Sequence, residues 1–332
     1  MARTAPASAL AYLARFSRKG GVNYRSGPPI PISIHCRHQR RTTMHRFAFV
    51  ILLLATLLTT PHARAAESYD SCKGFIDSLP ATINAQGTWC LRKDLSTAMA
   101  SGNAITVATN NVTIDCNDFK LGGLAAGLGS EATGIYASGR SNVTVRNCNI
   151  RGFWIGVYML GINSGGHRVE SNRFDGNNFI GAAVSGRGSV VRDNQFTDTG
   201  GSTVSPNAWA IFDQDGGTDI LNNVIDGVAA AAGNNGWAVG IQSNAGGLPV
   251  TISGNRIRNL VADGTGQTYG IRRSSGSFAV IARNELIGAA AGAGIQCNQS
   301  GIDSVKDNVI LNFATGIQSC ANDGGNVIRS AL

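Results

Sequence analysis

The side chains best suited to chemistry are two aspartates, Asp213 and Asp215, and an arginine, Arg272. Alternate residues of a strand point to the same face, so the two carboxylates could lie side by side. Such a pair can hold Ca²⁺ or serve as general acid and general base, while Arg272 neutralises a uronate whose proton is abstracted. The segment 213–217 is also typical of an ordinary turn, because it is rich in Asp and Gly. Beyond Ca²⁺ at this pair, the sequence predicts no cofactor.

Three tryptophans and one histidine were also considered as ligand-binding residues. Trp209 and Trp237 each precede a strand-like segment and are candidates for stacking on a sugar ring. Trp154 lies in an apolar stretch and is predicted to pack. His167 is the single histidine after residue 65, and its Gly-rich surroundings predict a solvated loop.

A repeat positions these residues along the chain. A strand-like segment runs into an Asn, then one residue, then a large apolar residue, at intervals of 18 to 32 residues. Asn tolerates the left-handed backbone of a sharp corner, and stacked Asn side chains can hydrogen-bond along a solenoid axis. The repeated position is occupied by Asn117, Cys148, Asn172, Asn194, Asn223, Asn255, Asn284, Asn308 and Asn326.

Between the corners, a Gly or Ala is followed by an inward residue and then by an outward one. Rings in the outward column could stack on sugars, and its amide and guanidinium groups could donate to hydroxyls and carboxylates. The high β-propensity of Tyr and Phe is the alternative explanation. The column is Tyr136, Tyr158, Ala183, Phe212, Gln242, Arg272, Gln296 and Gln318, of which Tyr136, Tyr158, Phe212, Gln242, Arg272 and Gln296 are predicted to bind substrate.

The repeat predicts an all-β chain, a parallel β-helix of about eight or nine turns over residues 105–332. Residues 66–104 do not fit the repeat and are predicted to cap its first turn. The C-terminal end has no comparable segment, so self-association through that end is a further expectation.

The N-terminal residues predict export. Residues 44–65 have a basic start, an apolar run at 47–58 and an Ala-Arg-Ala site, which together indicate a signal peptide cleaved near Ala65. The apolar run is too short to span a bilayer roughly 30 Å thick. Residues 1–43 are interpreted as an upstream extension that does not fold, through a mis-assigned start or an organelle transit segment. The mature chain is expected to be secreted or periplasmic, without a membrane span.

The positive charge of the chain lies in this leader. The whole chain has a formal charge of +8, but residues 1–65 carry ten Lys or Arg and no Asp or Glu. The remainder therefore holds 18 basic and 20 acidic residues. A nucleic-acid partner is excluded on this balance, because such a partner needs a basic surface.

Six cysteines follow the leader, and an even number in an exported chain predicts disulfides. They allow 15 connectivities, of which proximity in sequence favours three pairs of near neighbours. A structural zinc site is not expected, since no CxxC spacing exists and one histidine remains. The favoured pairs are Cys72 with Cys90, Cys116 with Cys148, and Cys297 with Cys320.

The segments 111–117, 142–148 and 254–257 resemble those of right-handed parallel β-helix repeat proteins, which are related in fold to pectin lyases and polygalacturonases. The resemblance covers roughly 105–328 and implies a surface that handles acidic or neutral polysaccharides. The Asp-Asp and Gly-His-Gly signatures of polygalacturonases are missing here. We therefore predict a protein that binds polysaccharide or another surface ligand along an outward strand face. The alternative is a polysaccharide lyase or glycoside hydrolase with a non-standard site.

Overall fold

A computed structural model describes residues 69–161, 163–244, 247–274, 276, 278–298 and 302–330. The predicted extension, 1–43, and the predicted signal peptide, 44–65, lie outside these residues. Within the described ranges, no helix is long and apolar enough to cross a bilayer.

The described residues form a parallel β-solenoid of about nine turns, with 31 strands in three sheets. The strands are numbered β1 to β31 in chain order, and each turn passes through sheets A, C and B. Sheet A contains β1 (Cys72–Phe75), β3 (Gly87–Cys90), β6 (Val112–Asp115), β9 (Val143–Arg146), β12 (Arg168–Glu170), β15 (Ser189–Arg192), β18 (Thr218–Leu221), β21 (Val250–Ser253), β24 (Ala279–Ala282), β27 (Ser304–Lys306) and β30 (Ala321–Asn322).

Sheet C contains β4 (Leu95–Ser96), β7 (Lys120–Gly122), β10 (Asn149–Arg151), β13 (Arg173–Asp175), β16 (Gln195–Gly200), β19 (Val224–Ala229), β22 (Arg256–Val261), β25 (Glu285–Ile287), β28 (Val309–Leu311) and β31 (Val327–Arg329). Sheet B contains β2 (Ala81–Ile83), β5 (Asn103–Val107), β8 (Thr133–Tyr136), β11 (Ile155–Met159), β14 (Ile180–Val184), β17 (Ala208–Asp213), β20 (Ala238–Asn244), β23 (Thr268–Ser274), β26 (Ala293–Cys297) and β29 (Thr315–Gln318). A short 3₁₀ turn, Leu124–Ala126, precedes β8.

The corner between sheets A and C carries the predicted asparagine ladder. Each ladder side chain donates from Nδ2 to Oδ1 of the next one at 2.9–3.0 Å, and the interior members are buried. Cys148 stands in the Asn position as predicted, and its backbone N–H donates to Oδ1 of Asn172. The ladder satisfies polar groups that would otherwise be buried without partners. Its members are Asn172, Asn194, Asn223, Asn255, Asn284, Asn308 and Asn326.

Two details of the predicted corner are wrong. The left-handed residue is the one before the ladder Asn, such as Ser171 or Asn222, because the two-residue corner needs positive φ at its first position. Asn117 is not in the ladder, since Leu121 rather than Phe119 pairs with Ile150. The corner between β6 and β7 therefore has four residues where most later ones have two.

The interior is an aliphatic ladder, as the repeat predicts. In sheet B the inward residues pair in register from Ile135 through Ile211 to Ile295, and all are fully buried. A glycine precedes most of them, with Ala210 before Ile211, and allows close approach of neighbouring turns. A Cβ on Gly156 would lie 2.5 Å from the carbonyl oxygen of Gly181, so a larger residue would push the turns apart.

The three predicted disulfides are confirmed, and they lie towards the two ends of the solenoid. The segment expected as a cap, 66–104, also contributes β1 to β4 to the sheets, because its short strands pair in register with those of later turns. The sheets thus begin before the predicted boundary at 105. At the other end, Val327 and Ile328 of β31 are exposed. Self-association through that end stays a prediction.

Candidate functional site

The outward face of sheet B carries the predicted column of ligand-binding residues, and strand pairing confirms its register. Tyr158 pairs with Tyr136 on one side and Ala183 on the other. Phe212 pairs with Gln242, which pairs with Arg272. Gln296 and Gln318 continue the same line. The column runs along the solenoid axis, with aromatic residues in its first part and polar residues in its second.

The first part of the column belongs to an apolar cluster outside the core. Its buried members are Ile155, Leu160, Ile180 and Ala183, and five aromatic side chains pack around them. The cluster is separate from the interior ladder because it lies on the opposite face of the sheet. The aromatic side chains that cover it are Trp154, Tyr158, Phe179, Trp209 and Phe212.

These rings and Tyr136 form an array of two groups, which meet on the apolar cluster. Tyr136 stacks on Tyr158 with centroids 5.2 Å apart. In the other group, Trp154 stacks on Phe179 at 4.8 Å, Trp209 meets Phe179 edge-on at 4.9 Å, and Phe212 lies beside Trp209. Each ring is half-buried, so one surface of the array faces solvent. This geometry supplies several neighbouring ring faces on the outer side of sheet B.

One member of the array, Phe179, was not predicted from the sequence. Trp154 was expected to pack, and it packs against the apolar cluster and on the ring of Phe179. Both occupy the position just before a strand of sheet B, as does Trp237 before β20. That shared position is the signal that could have found them, but it needs the strand starts to be known.

The second part of the column centres on Arg272. Its Nε donates to Oε1 of Gln296 and its Nη1 donates to Oε1 of Gln242, each at 3.1 Å. The guanidinium carbon lies 4.7 Å from the ring centre of Trp237 and 5.4 Å from that of Tyr269. Two amides and two rings therefore hold the cation in one place on the outer face.

A second outward line of polar residues lies beside this column. The amide of Gln242 donates to Oδ1 of Asn244 at 2.6 Å and lies 3.4 Å from Oγ of Ser274. The amide of Gln296 donates to Asn298. Gln242 points outward as predicted, although these neighbours leave it only 2% exposed.

A pocket of about 550 Å³ opens beside the aromatic part, between successive turns that lead from sheet B to sheet A. Oδ2 of Asp215 accepts a hydrogen bond of 3.4 Å from the hydroxyl of Ser185. Burial raises the pKa of Tyr158, and the charges of Tyr136 and Asp215 raise it further, so this phenol stays protonated near the carboxylate. The pocket is lined by Gly161, Asn163, Ser164, Gly186, Arg187, Asp215 and Leu248.

Comparison with known sequences matches part of the chain to one family model. Residues 93–236 match the family model described as a right handed beta helix region. Three parallel sheets with in-register columns extend the same architecture to both sides of that match. The chain is a right-handed parallel β-helix protein. No curated protein sequence matches it.

Solved structures with detectable likeness to this β-helix are distant. The catalytic domain of a GH87 alpha-1,3-glucanase in complex with nigerose is 13% identical, with a TM-score of 0.36. The match covers 78% of this chain and 60% of that one. The A-module of mannuronan C-5 epimerase AlgE6 from Azotobacter vinelandii is 12% identical with a TM-score of 0.34, covering 79% and 92%. No functional conclusion follows from likenesses of this size.

The side chains of Asp213 and Asp215 have different surroundings. Asp213 ends β17 with its side chain in the interior and 0% exposed, whereas Asp215 lines the pocket. The expectation that they share a face is wrong, because the strand ends at Asp213 and its alternation ends there too. The catalytic role of Asp213, Asp215 and Arg272 stays a prediction.

Asp213 belongs to a polar chain that crosses the interior from turn to turn. The hydroxyl of Ser243 donates to Oδ2 of Asp213 at 2.7 Å, and Nη1 of Arg273 donates to that hydroxyl at 2.7 Å. Nε of Arg273 lies 3.5 Å from Asp303. Burial raises the pKa of Asp213 to about 7 and the charge of Asp215 adds to this rise, while the hydroxyl of Ser243 and the charge of Arg273 oppose it.

His167 is also buried, which corrects the prediction of a solvated loop. It is 0% exposed, and its Nδ1 accepts from the backbone N–H of Val143 at 3.4 Å. Burial lowers its pKa to about 4. Glycines beside it let the turns stack closely enough to cover the ring: Gly165 could not carry a Cβ without meeting the carbonyl of Arg187 at 2.6 Å.

No group of three or more His, Cys, Asp or Glu side chains that could hold a metal ion exists among the described residues. The Ca²⁺ site proposed at Asp213 and Asp215 would need both carboxylates on one side of the wall, and Asp213 faces the interior. Ca²⁺ binding stays an untested expectation.

Proposed function

We propose that the outward face of sheet B binds polysaccharide, with the sugar chain running along the solenoid axis. The observation that carries this proposal is the aromatic array outside the core, in line with the polar column around Arg272. Because these rings lie outside the core, packing of the interior does not account for them. A continuous surface of this kind is typical of a binding site.

The chemistry of the face fits a sugar chain. Sugar rings present C–H faces that pack on aromatic rings, and their hydroxyls exchange hydrogen bonds with amides. Tyr136, Tyr158 and Phe212 offer half-buried ring faces, and Gln296 and Asn298 offer amides at the surface. Both kinds of contact lie along one line, so successive sugars of one chain could use them together.

Export of the mature chain is part of this proposal. Three disulfides are typical of proteins in oxidising compartments, where extracellular or periplasmic polysaccharides also occur. The signal peptide predicted at 44–65 would bring the chain there. Sequencing the N-terminus of the exported protein tests this point, and an N-terminus far from Ala66 would contradict it.

Binding can be tested by calorimetry and affinity electrophoresis against a panel of neutral and acidic polysaccharides. We expect Tyr158→Ala and Phe212→Ala each to weaken binding by about threefold to tenfold, through loss of ring contacts worth roughly 1 kcal/mol. Phe278→Ala is the matched control, because Phe278 is 70% exposed and precedes β24 of sheet A. Equal losses for all three variants, or no binding by the wild type, would refute the proposal.

A polysaccharide lyase or glycoside hydrolase is the second candidate function. The pocket beside the array favours it, because the Asp215 carboxylate and the protonated Tyr158 phenol could act as base and acid there. Incubation with the same panel should then release unsaturated uronates or new reducing ends. Asp215→Asn should abolish that release while leaving binding intact. If the wild type releases neither product, this candidate is excluded.

A further inference from the structure

We propose that Arg272 forms an anion subsite, so that the polysaccharide bound on sheet B carries carboxylate or sulfate groups. This inference rests on the proposed function and names its ligand class. The guanidinium of Arg272 is bound by neutral side chains, whereas other outward arginines of the solenoid pair with carboxylates.

Most outward arginines with a partner are neutralised by a carboxylate on a neighbouring turn. Nε of Arg146 lies 2.7 Å from Asp115, Nη2 of Arg192 lies 2.8 Å from Glu170, and Arg258 lies 2.6 Å from Asp226. In these pairs the carboxylate neutralises the arginine, so its charge is not free to bind an anion. They also show that the solenoid readily supplies an acidic neighbour one turn away.

Arg272 has neutral neighbours at the corresponding places. Gln242 precedes it by one turn and Gln296 follows it, and both accept through amide oxygens. No carboxylate of the described residues lies within ion-pair distance of its guanidinium. The amides fix the position of the cation without neutralising it.

The ring contacts complete this arrangement. Trp237 and Tyr269 cover part of the guanidinium, which leaves Arg272 half-buried. Its Nη2 makes no hydrogen bond to any described residue, so it can donate to a ligand. A cation that is already fixed and partly desolvated binds an anion with little further loss of conformational freedom.

The subsite lies in line with the aromatic array. Phe212 precedes Arg272 by two turns, which corresponds to about 10 Å along the axis. One sugar chain can therefore stack on the array and place an anionic group on Arg272. Asn244 and Ser274 lie beside Gln242 and could bind hydroxyls of the same sugar.

The test uses pairs of polymers that differ only in charge. Polygalacturonate is compared with its carboxyl-reduced form, and dextran sulfate with dextran, by calorimetry on the full mature chain. We expect the wild type to prefer at least one charged member, and added salt to reduce that preference. Arg272→Gln should weaken binding of that polymer by about tenfold to a hundredfold, the usual effect of losing a charge-assisted hydrogen bond.

Two controls separate charge from folding. Arg258→Gln removes the same charge from sheet C and should leave every affinity unchanged, since Arg258 is paired with Asp226. Arg272→Lys keeps the charge but loses the fork geometry, so we expect an intermediate loss. Circular dichroism confirms that each variant is folded, and Arg272→Gln should lose more affinity for the charged polymer than for its neutral counterpart.

The outcomes are distinguishable. Preference for polygalacturonate identifies a carboxylate as the anion, and preference for dextran sulfate identifies a sulfate. Equal affinity for charged and neutral polymers, or an unaffected Arg272→Gln variant, would overturn the anion subsite and leave polysaccharide binding standing. Binding to none of the polymers in the wider panel would overturn the proposed function itself.

Discussion

Replacing the buried Asp213 with Asn should make the protein more stable at neutral and alkaline pH. Burial raises the pKa of this carboxyl from 3.8 to about 7. Its Oδ1 has no hydrogen-bond partner among the residues that the structure describes, so the ionised form is poorly solvated in the interior. Asn keeps the shape of the side chain and cannot ionise.

The sign follows from proton binding in the two states. Between about pH 4 and pH 7 the folded protein holds a proton on Asp213 that the unfolded chain has lost, so stability falls as pH rises. A shift of about three units at 1.36 kcal/mol per unit amounts to about 4 kcal/mol. The contribution of protonated Asp213 to the free energy of unfolding is complete below its unfolded pKa and is lost as the pH rises through about 7.

Urea unfolding followed by tryptophan fluorescence, with disulfides intact, measures the free energy of unfolding at several pH values. We expect Asp213→Asn to match the wild type near pH 4 and to exceed it by up to about 4 kcal/mol near pH 8. Asp226→Asn is a control of opposite sign, because Arg258 lowers the pKa of Asp226. A difference between Asp213→Asn and wild type that does not change with pH, or that reverses, would refute this reasoning.

Two further predictions concern stability. Burial lowers the pKa of His167 from 6.5 to about 4, so on acidification the unfolded chain binds the proton before the folded protein does. The free energy of unfolding is therefore unaffected by His167 above pH 6.5 and falls as the pH drops to about 4. His167→Gln should remove about 3 kcal/mol of this acid sensitivity in urea melts. Asn223→Ala removes four hydrogen bonds inside the ladder and should cost about 3 kcal/mol or more, whereas Asn326→Ala at the half-exposed end should cost less. Equal losses of stability in Asn223→Ala and Asn326→Ala would contradict the idea that burial strengthens the hydrogen bonds of the ladder.

The regular parts of the fold were predictable because they depend on local spacing. Ile135, Ile211 and Ile295 recur at the same place in each repeat, and alternation along a strand assigns them to the interior. The same alternation placed Tyr158 and Arg272 on the outer face. Pairing of cysteines by proximity succeeded because bonded residues lie on the same or neighbouring turns.

The irregular parts depend on where strands end and how turns stack, which local spacing does not show. Asp213 was misplaced because β17 ends there, and Asn117 because the corner between β6 and β7 holds two extra residues. His167 is covered by turns that stack through glycines. The neutral partners of Arg272 are 24 and 30 residues away in sequence, so they emerge only when the lengths of intervening loops are known.

The asparagine ladder makes each turn an interchangeable unit. Each interior ladder Asn donates from its Nδ2 to the Asn of the next turn and accepts through its Oδ1 from the Asn of the turn before. A segment running from one ladder Asn to the next could thus be duplicated or deleted with matching ends preserved, whatever the length of its loops. Growth of the gene by such steps would lengthen the outer face of sheet B one turn at a time, so that the length of that face could evolve independently of the core.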